Sequence, residues 1–331
     1  MRFYSIIIPV YNRPDEVQEL LESLCKQTFR NFEVIIVEDG SSKKCDDVVE
    51  SFQEELDILY FFKENSGQGF SRNFGFERAK GDYFIVFDSD CLIPEHYFET
   101  VENNLNEHQL DAYGGPDRDH PTFSNMQKAI SYSMTSLFTT GGIRGRKKSM
   151  GTFHPRSFNM GISRAVFEKT GGYIITRMGE DIEFSIRIIE NGFKAGLIPD
   201  AFVYHKRRTS LLQFYKQLHF FGRARINIQR FFPSEIKLVH TFPVVFLTGF
   251  VLNFILLVLF PDIFKWTTLV IAVYFALIFF DASVKNKSIL IGLTSIATSF
   301  TQLSAYAVGF ITEGLVRLRE LMGVRASGKR K

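Results

Sequence analysis

Cysteine is scarce in this chain. Cys25, Cys45 and Cys91 are its only three, far apart and without a CxxC pair. That excludes a zinc ribbon and a disulfide framework and points to a reducing compartment, the cytosol. A surplus of charge is missing too: 39 basic residues stand against 36 acidic ones, a net charge of +3. Such balance argues against a protein built to bind nucleic acid. No cleavable leader is visible. The apolar run from Phe3 to Val10 is short and passes into Tyr11-Asn12-Arg13-Pro14 without a small-residue cleavage site, so this segment is expected to stay in the mature protein. Two phosphate-binding fingerprints are absent as well. There is no GxxxxGK[ST], and after Gly67-Gln68-Gly69 the place of a third dinucleotide-motif glycine is held by Arg72. A P-loop NTPase and an NAD enzyme are thereby disfavoured.

What is present is an alternation of buried-strand and helix patterns. Ser5-Ile6-Ile7-Ile8-Pro9-Val10 and Phe32 to Val37 read as strands buried on both faces. Pro14 and Asp15 open a helix with Val17, Leu20, Leu21 and Leu24 at helical spacing. Strands at Ile58 to Phe62 and Tyr83 to Phe87 complete a β-α-β-α-β-α-β series. That order predicts an α/β domain with a mainly parallel, Rossmann-like sheet covered by helices. From Asp111 to Phe158 the pattern is irregular. It includes Gly141-Gly142-Ile143-Arg144-Gly145-Arg146-Lys147-Lys148, which reads either as a solvated loop or as a mobile lid meeting an anionic ligand or lipid headgroups.

Long uncharged stretches set the last third apart. Residues 209–240 mix Phe214, Tyr215, Phe220 and Phe221 with Lys216, Arg223, Arg225 and Arg230, the pattern of amphipathic helices at a membrane surface. Thr241 to Phe260 carries no charge and, at about 1.5 Å per residue, spans one hydrocarbon core of about 30 Å. Trp266 to Phe280 is uncharged but short, and Ser288 to Thr312 is uncharged and long enough. Two or three crossings are therefore expected within 241–312. A basic tail follows at 313–331, with Arg317, Arg319, Arg325, Lys329, Arg330 and Lys331 against Glu313 and Glu320. Positive-inside logic pulls both this tail and the loop with Lys285 and Lys287 inward, and the two pulls imply different numbers of crossings.

The chemistry-bearing residues gather at strand ends. Asp88 and Asp90 follow the strand Tyr83 to Phe87, and in an extended segment i and i+2 point the same way. Two carboxylates at the carboxyl edge of a parallel strand, where open α/β sheets bind ligands, suit Mg²⁺ or Mn²⁺ shared with a diphosphate. Asp-x-Asp alone is weak, since an ordinary polar turn has the same residues. Glu38-Asp39-Gly40 closes an earlier strand at the same edge, fitting either a nucleoside contact or a plain turn. Arg72 fits a strand-end carboxylate, a phosphate or a surface ion pair. Glu180 and Asp181 open a helix, where acidic residues favour the dipole, and Asp181 is also a candidate general base. His205 ends a short strand and is a third candidate for the metal or a phosphate.

Taken in order, Ser5 to Asn12, Val37-Glu38-Asp39-Gly40-Ser41-Ser42, Gly69 to Asn73, Gly81-Asp82-Tyr83, Asp88-Ser89-Asp90, Asn159-Met160-Gly161, Gly171-Gly172-Tyr173 and Gly179-Glu180-Asp181 resemble the family 2 glycosyltransferases of GT-A fold. The resemblance covers about residues 3–205. It implies a catalytic domain over 1–208 that uses a nucleotide-diphosphate sugar with inversion. It also implies that Pro9, Tyr11, Asn12 and Asp39 line the nucleoside pocket, with Glu38 a further candidate substrate contact. By the same resemblance Arg72, Asn159, Gly161 and Glu180 serve the substrates, Asp88 sits near ribose and metal, Asp90 holds the metal and Asp181 is the base. The Gln-x-x-Arg-Trp signature of processive synthases is absent, since Gln217 is followed by Leu218-His219-Phe220-Phe221. Single-sugar transfer is thus expected, to a hydroxyl of a lipid-linked or cell-envelope saccharide. Direct transfer to a polyprenyl phosphate is the alternative. Nucleotide sugars are cytosolic, so the expected place is the cell membrane, multi-pass, with the catalytic domain on the cytoplasmic face and membrane lipids as partners.

Overall fold

The computed structural model describes residues 1–140 and 153–322. In chain order the strands and helices are β1 (Tyr4–Val10), α1 (Pro14–Cys25), β2 (Phe32–Asp39), α2 (Asp46–Glu50), β3 (Ile58–Lys63), α3 (Gln68–Phe76), β4 (Tyr83–Phe87), β5 (Cys91–Leu92), α4 (Tyr97–His108), β6 (Ala112–Gly114), β7 (Asp117–Arg118), α5 (Asn125–Thr135), α6 (Leu137–Thr140), β8 (Asn159–Ser163), α7 (Arg164–Thr170), α8 (Glu180–Glu190), β9 (Ala195–Leu197), β10 (Val203–His205), α9 (Leu211–Gln229), α10 (Phe242–Leu259), α11 (Pro261–Asn286) and α12 (Ile289–Leu321). They fall into two compact units. One comprises Met1–Pro121 and Lys147–Lys206, the other Thr122–Arg146 and Arg207–Lys331.

The first unit is built on a seven-stranded sheet in the order β3-β2-β1-β4-β8-β6-β9. β1 pairs in parallel with both β2 and β4, while β8 runs antiparallel to β4 and β6. The mainly parallel, Rossmann-like sheet expected from the β-α alternation is present. Alternate residues of β1 feed opposite faces. Ile6 and Ile8 pack with Leu20, Leu21 and Leu24 of α1 and Phe98 and Val101 of α4, while Ile7 packs with Phe76 of α3 and Phe184 and Ile188 of α8. Each fully buried leucine of α1 contributes about 1.5–3 kcal/mol relative to exposure. Helix α3 reaches the sheet through a glycine: a Cβ on Gly75 would meet Ile7 Cγ2 at 2.5 Å. That close approach lowers Arg72, one turn earlier, to the sheet edge. The strand order reverses between β1 and β4, so the crevice beyond their carboxyl ends is the ligand position of an open α/β sheet.

The second unit contains α5, α6 and α9 to α12. Among the described residues three helices are long and apolar enough to cross a membrane: Leu238–Leu259, Pro261–Asn286 and Ile289–Leu321. The middle one exceeds its uncharged run of Trp266 to Phe280 because the flanking charges pair within the helix. Asp262 meets Lys265 at 3.3 Å near one end, and Asp281 meets Lys285 at 2.8 Å near the other. Between α10 and α11, buried Asn253 receives Thr267 and donates to Thr268 at 2.9 Å. Residues 209–240 form one long helix, α9, and two 3₁₀ turns. Within the stretch that looked irregular, α5 is a helix closed by a Ser124/Gln127 capping box. Its serines, Ser131 and Ser133, blur the apolar period that buried Ala129, Ile130 and Met134 would otherwise show. The basic segment from Gly141 to Lys148 and the tail residues Arg325, Lys329, Arg330 and Lys331 lie outside the described residues.

Helix α9 lies against α12 through two glycines. A Cβ on Gly222 would fall on the Tyr306 carbonyl oxygen and lie 2.8 Å from the Phe310 amide nitrogen, and one on Gly309 would fall on the His219 carbonyl. Overpacking of this kind costs about 1–3 kcal/mol. Gly222→Ala and Gly309→Ala are each expected to lower the unfolding midpoint of the detergent-extracted protein. Gly314→Ala, with nothing within 4 Å of the new methyl, should hold or raise it through helix propensity.

Candidate active site

The carboxyl edge of the sheet carries a set of acidic groups, each held by a basic one. Asp39 ends β2 and is 4% exposed. Its carboxylate receives Lys63, the Ser66 amide at 2.8 Å and the Gly67 amide at 2.8 Å. Burial alone would raise its pKa, but Lys63 and the two amides hold it below the usual carboxylate range. The neighbouring Glu38 points to the opposite face, where it accepts from the Cys45 amide and the Tyr60 hydroxyl, both at 2.8 Å.

The strand β4 stops at Phe87, and residues 88–91 turn, with the Cys91 amide donating to the Asp88 carbonyl at 3.1 Å. The extended i, i+2 geometry expected for Asp88 and Asp90 is therefore replaced by a turn, and the two carboxylates take different partners. Asp88 receives Arg72 at 2.8 Å. Asp90 receives Arg13 at 2.6 Å on Oδ2, and His205 Nε2 lies 3.0 Å from Oδ1. The His205 ring stacks on Phe158 with centroids 5.1 Å apart.

Arg72 joins the two halves of the edge. It is 1% exposed, and besides Asp88 it reaches Glu180 at 3.3 Å, with its guanidinium 5.4 Å from the Tyr173 ring centre. Burial opposes its charge, yet Tyr173, Asp88 and Glu180 hold its pKa above the usual value. Gln68 also donates to Glu180. For Glu180 itself, burial and the adjacent Asp181 push the pKa upward, while Arg72 opposes them. Glu180 thus locks the first turn of α8 in place, and half-buried Asp181 is presented beside it. One Asp181 oxygen accepts from the Ile182 amide at 2.8 Å and the other meets Arg156 at 3.3 Å.

The other residues singled out from the sequence are distributed as follows. Pro9 lies within β1 in register with Val37, and Tyr11 is 54% exposed just beyond it. Asn12 adopts a left-handed φ of 57° and its side-chain oxygen accepts from the Ser42 and Lys43 amides at 2.9 Å, so it pins the turn after Asp39. Asn159 stands at the edge by its backbone, in register with Phe87 at the end of β4, while Gly161 pairs with Ile85 two residues further in. Asn159 is fully buried, accepting from Tyr97 at 2.5 Å and donating to the Ala201 carbonyl at 2.8 Å. Gly161 lies in β8 against the Tyr113 ring. Arg13, Lys63, Gln68, Arg156 and Tyr173 join the site without the sequence having given them a role. Arg13 directly follows the quoted Tyr11-Asn12, and the adjacency of β1 and β4 is what delivers it to Asp90.

A metal ion has a place among these groups. Asp90, Cys91 and His205 offer ligand atoms within 4.8 Å of one another. Cys91 is the poor member of the three: its thiol donates to the Phe158 carbonyl at 3.5 Å, and a soft sulfur is not the donor a hard divalent ion selects. A carboxylate oxygen and an imidazole nitrogen remain, a donor set that fits a divalent ion, with the nitrogen favouring Mn²⁺ over oxygen-seeking Mg²⁺.

The sequence model described as "Glycosyl transferase family 2" matches residues 5–171. The glycosyltransferase GlyA of Streptococcus pneumoniae serotype 4 is 35% identical over 112 residues, which are 34% of this chain and 16% of that protein. The minor teichoic acid biosynthesis protein GgaB of Bacillus subtilis is 27% identical over 210 residues, 62% of this chain and 23% of that one. The chain thus spans well under a third of the length of these relatives. Among solved structures, mannosyltransferase PcManGT from Pyrobaculum calidifontis, in complex with GDP-Man and Mn²⁺, superposes with a TM-score of 0.69 at 16% identity, covering 96% of this chain and 88% of that one.

Removing one partner of a buried ion pair costs about 3–5 kcal/mol, because the other charge is left uncompensated. Arg72→Met is expected to destabilise the protein by that order in chemical unfolding. Adding Glu180→Gln to Arg72→Met should recover part of the loss, a non-additivity that a double-mutant cycle reads directly.

Proposed function

The chain belongs to glycosyl transferase family 2, and from that premise we propose that it moves a single sugar from a nucleotide-diphosphate sugar to an acceptor hydroxyl, with inversion. The observation that carries this reading is the buried Arg72 bridge. It couples the strand end bearing Asp88 to the helix start bearing Asp181, so donor-binding and base positions share one rigid edge. The nucleoside would lie over Asp39 and Tyr11 at the ends of β2 and β1, with Asp88 toward the ribose. Asp90 and His205 would hold a divalent ion, which when bound supplies positive charge for the leaving diphosphate.

The acceptor oxygen attacks the anomeric carbon opposite the diphosphate. Its proton passes to Asp181 as the new carbon–oxygen bond forms, and the bond to the diphosphate breaks with its electron pair leaving on the nucleotide. Base catalysis and charge stabilisation each supply factors of about 10²–10⁴. Apolar helices on the same chain, and a teichoic acid protein among the relatives, support an acceptor that is lipid-linked or part of a cell-envelope saccharide.

One observation favours a second acceptor. Arg156 stands beside Asp181 and is 38% exposed, a cation suited to a lipid phosphate. That acceptor is already an anion and needs little base catalysis.

A donor panel offered to membrane extract, with and without chelator, tests transfer through release of nucleoside diphosphate. Asp90→Ala is expected to abolish release while the protein remains folded. Full activity of that variant with metal removed would refute the assignment. Asp181→Asn is expected to cut turnover by about 10²–10⁴, whereas near-normal turnover would select the phosphate acceptor.

A further inference from the structure

Asp90 is 4% exposed and held from two sides. A carboxylate so placed needs compensating charge or donors at all times. The arginine that supplies it differs in kind from Arg72. Arg72 is 1% exposed and fixed between two carboxylates, whereas the Arg13 side chain is 32% exposed and, among the described residues, has Asp90 as its one side-chain hydrogen-bond partner. Only its backbone is anchored. It precedes Pro14 at the first turn of α1, and its carbonyl accepts from the Val17 amide at 3.1 Å. The root is fixed, and breaking the one pair to Asp90 would let the side chain turn about it.

A divalent ion that takes Asp90 Oδ2 competes with the guanidinium for the same oxygen, and two cations at contact distance repel. Resting on the donor reading above, we propose that Arg13 is an exchangeable counter-ion. It neutralises Asp90 while the divalent ion is away, and yields the carboxylate as ion and nucleotide arrive, turning its planar fork to the pyrophosphate. Ion and nucleotide binding are then coupled through one side chain, and the coupling is reciprocal.

The experiment uses the full chain in detergent and reads free Mn²⁺ by its electron paramagnetic resonance signal, alone and with GDP or UDP in turn. In the wild type Mn²⁺ alone binds weakly and the matching nucleotide tightens it by about tenfold or more. Arg13→Gln removes the competitor, so Mn²⁺ alone binds about fivefold tighter or more, and the gain from nucleotide shrinks. Asp90→Asn, which loses the ion, marks the signal as coming from this site. Should Arg13→Gln fail to fold, Arg13→Lys carries the test. Its point charge grips a carboxylate less well than the fork, so Mn²⁺ alone again binds tighter than in the wild type. A folded variant whose Mn²⁺ affinity without nucleotide equals or falls below that of the wild type overturns the exchange. If that happens while nucleoside diphosphate is still released from a sugar donor, the transfer reading stands and only the role of Arg13 falls. A wild type that neither binds Mn²⁺ nor releases nucleoside diphosphate overturns both.

Discussion

A guanidinium with almost no solvent around it is the constraint on which the site depends. Arg72 is charged in an environment that penalises charge, so it persists only because Asp88 and Glu180 meet it. The same two contacts fix, from one atom group, a strand end and a helix start that are far apart in sequence. α3 can deliver Arg72 there because Gly75 lets the helix settle on Ile7. A missing side chain in one turn thus sets the position of a charged one in the turn before.

Around that bridge the remaining carboxylates follow a common rule. Asp39 has Lys63, Asp90 has Arg13 and His205, and Asp181 has Arg156. The edge is acidic in its residues yet nearly neutral in its pairs. An incoming anionic ligand therefore meets cations that are already in place, and rearranging pairs costs less than creating them. The pairs are not equivalent. Those of Asp39 and Asp88 are braced by backbone amides or by deep burial, and those of Asp90 and Asp181 include partly exposed arginines.

Much of this was legible in the residues. The β-branched runs at Ile6 to Ile8 and Val34 to Val37 announce strands buried on both faces, and the absence of charge in 241–260 announces an apolar helix. The ordered motifs from Pro9 to Asp181 pointed to the family. What sequence could not supply was pairing. Nothing in the local pattern says that Arg13 meets Asp90 across 77 positions, or that Asn159 spends both ends of its amide on Tyr97 and Ala201. Between Asp88 and Asp90 the chain turns instead of staying extended, closed by the Cys91 amide on the Asp88 carbonyl, and β5 just beyond pairs with β10 from far along the chain. Helix α5 escaped notice because its stabilising partners are supplied from far along the chain.

That remoteness has a consequence for biosynthesis. The Thr298 hydroxyl bonds the Ala129 carbonyl of α5 at 3.0 Å, 169 positions away. At about 5–20 residues per second on the ribosome, the apolar stripe of Ile130 and Met134 emerges roughly 8–34 s before the helix that covers it. During the first half of that interval neither α9 nor α12 has been made and the stripe is exposed; Phe214 and Leu218 then cover part of it, and Ala305 of α12 completes the cluster.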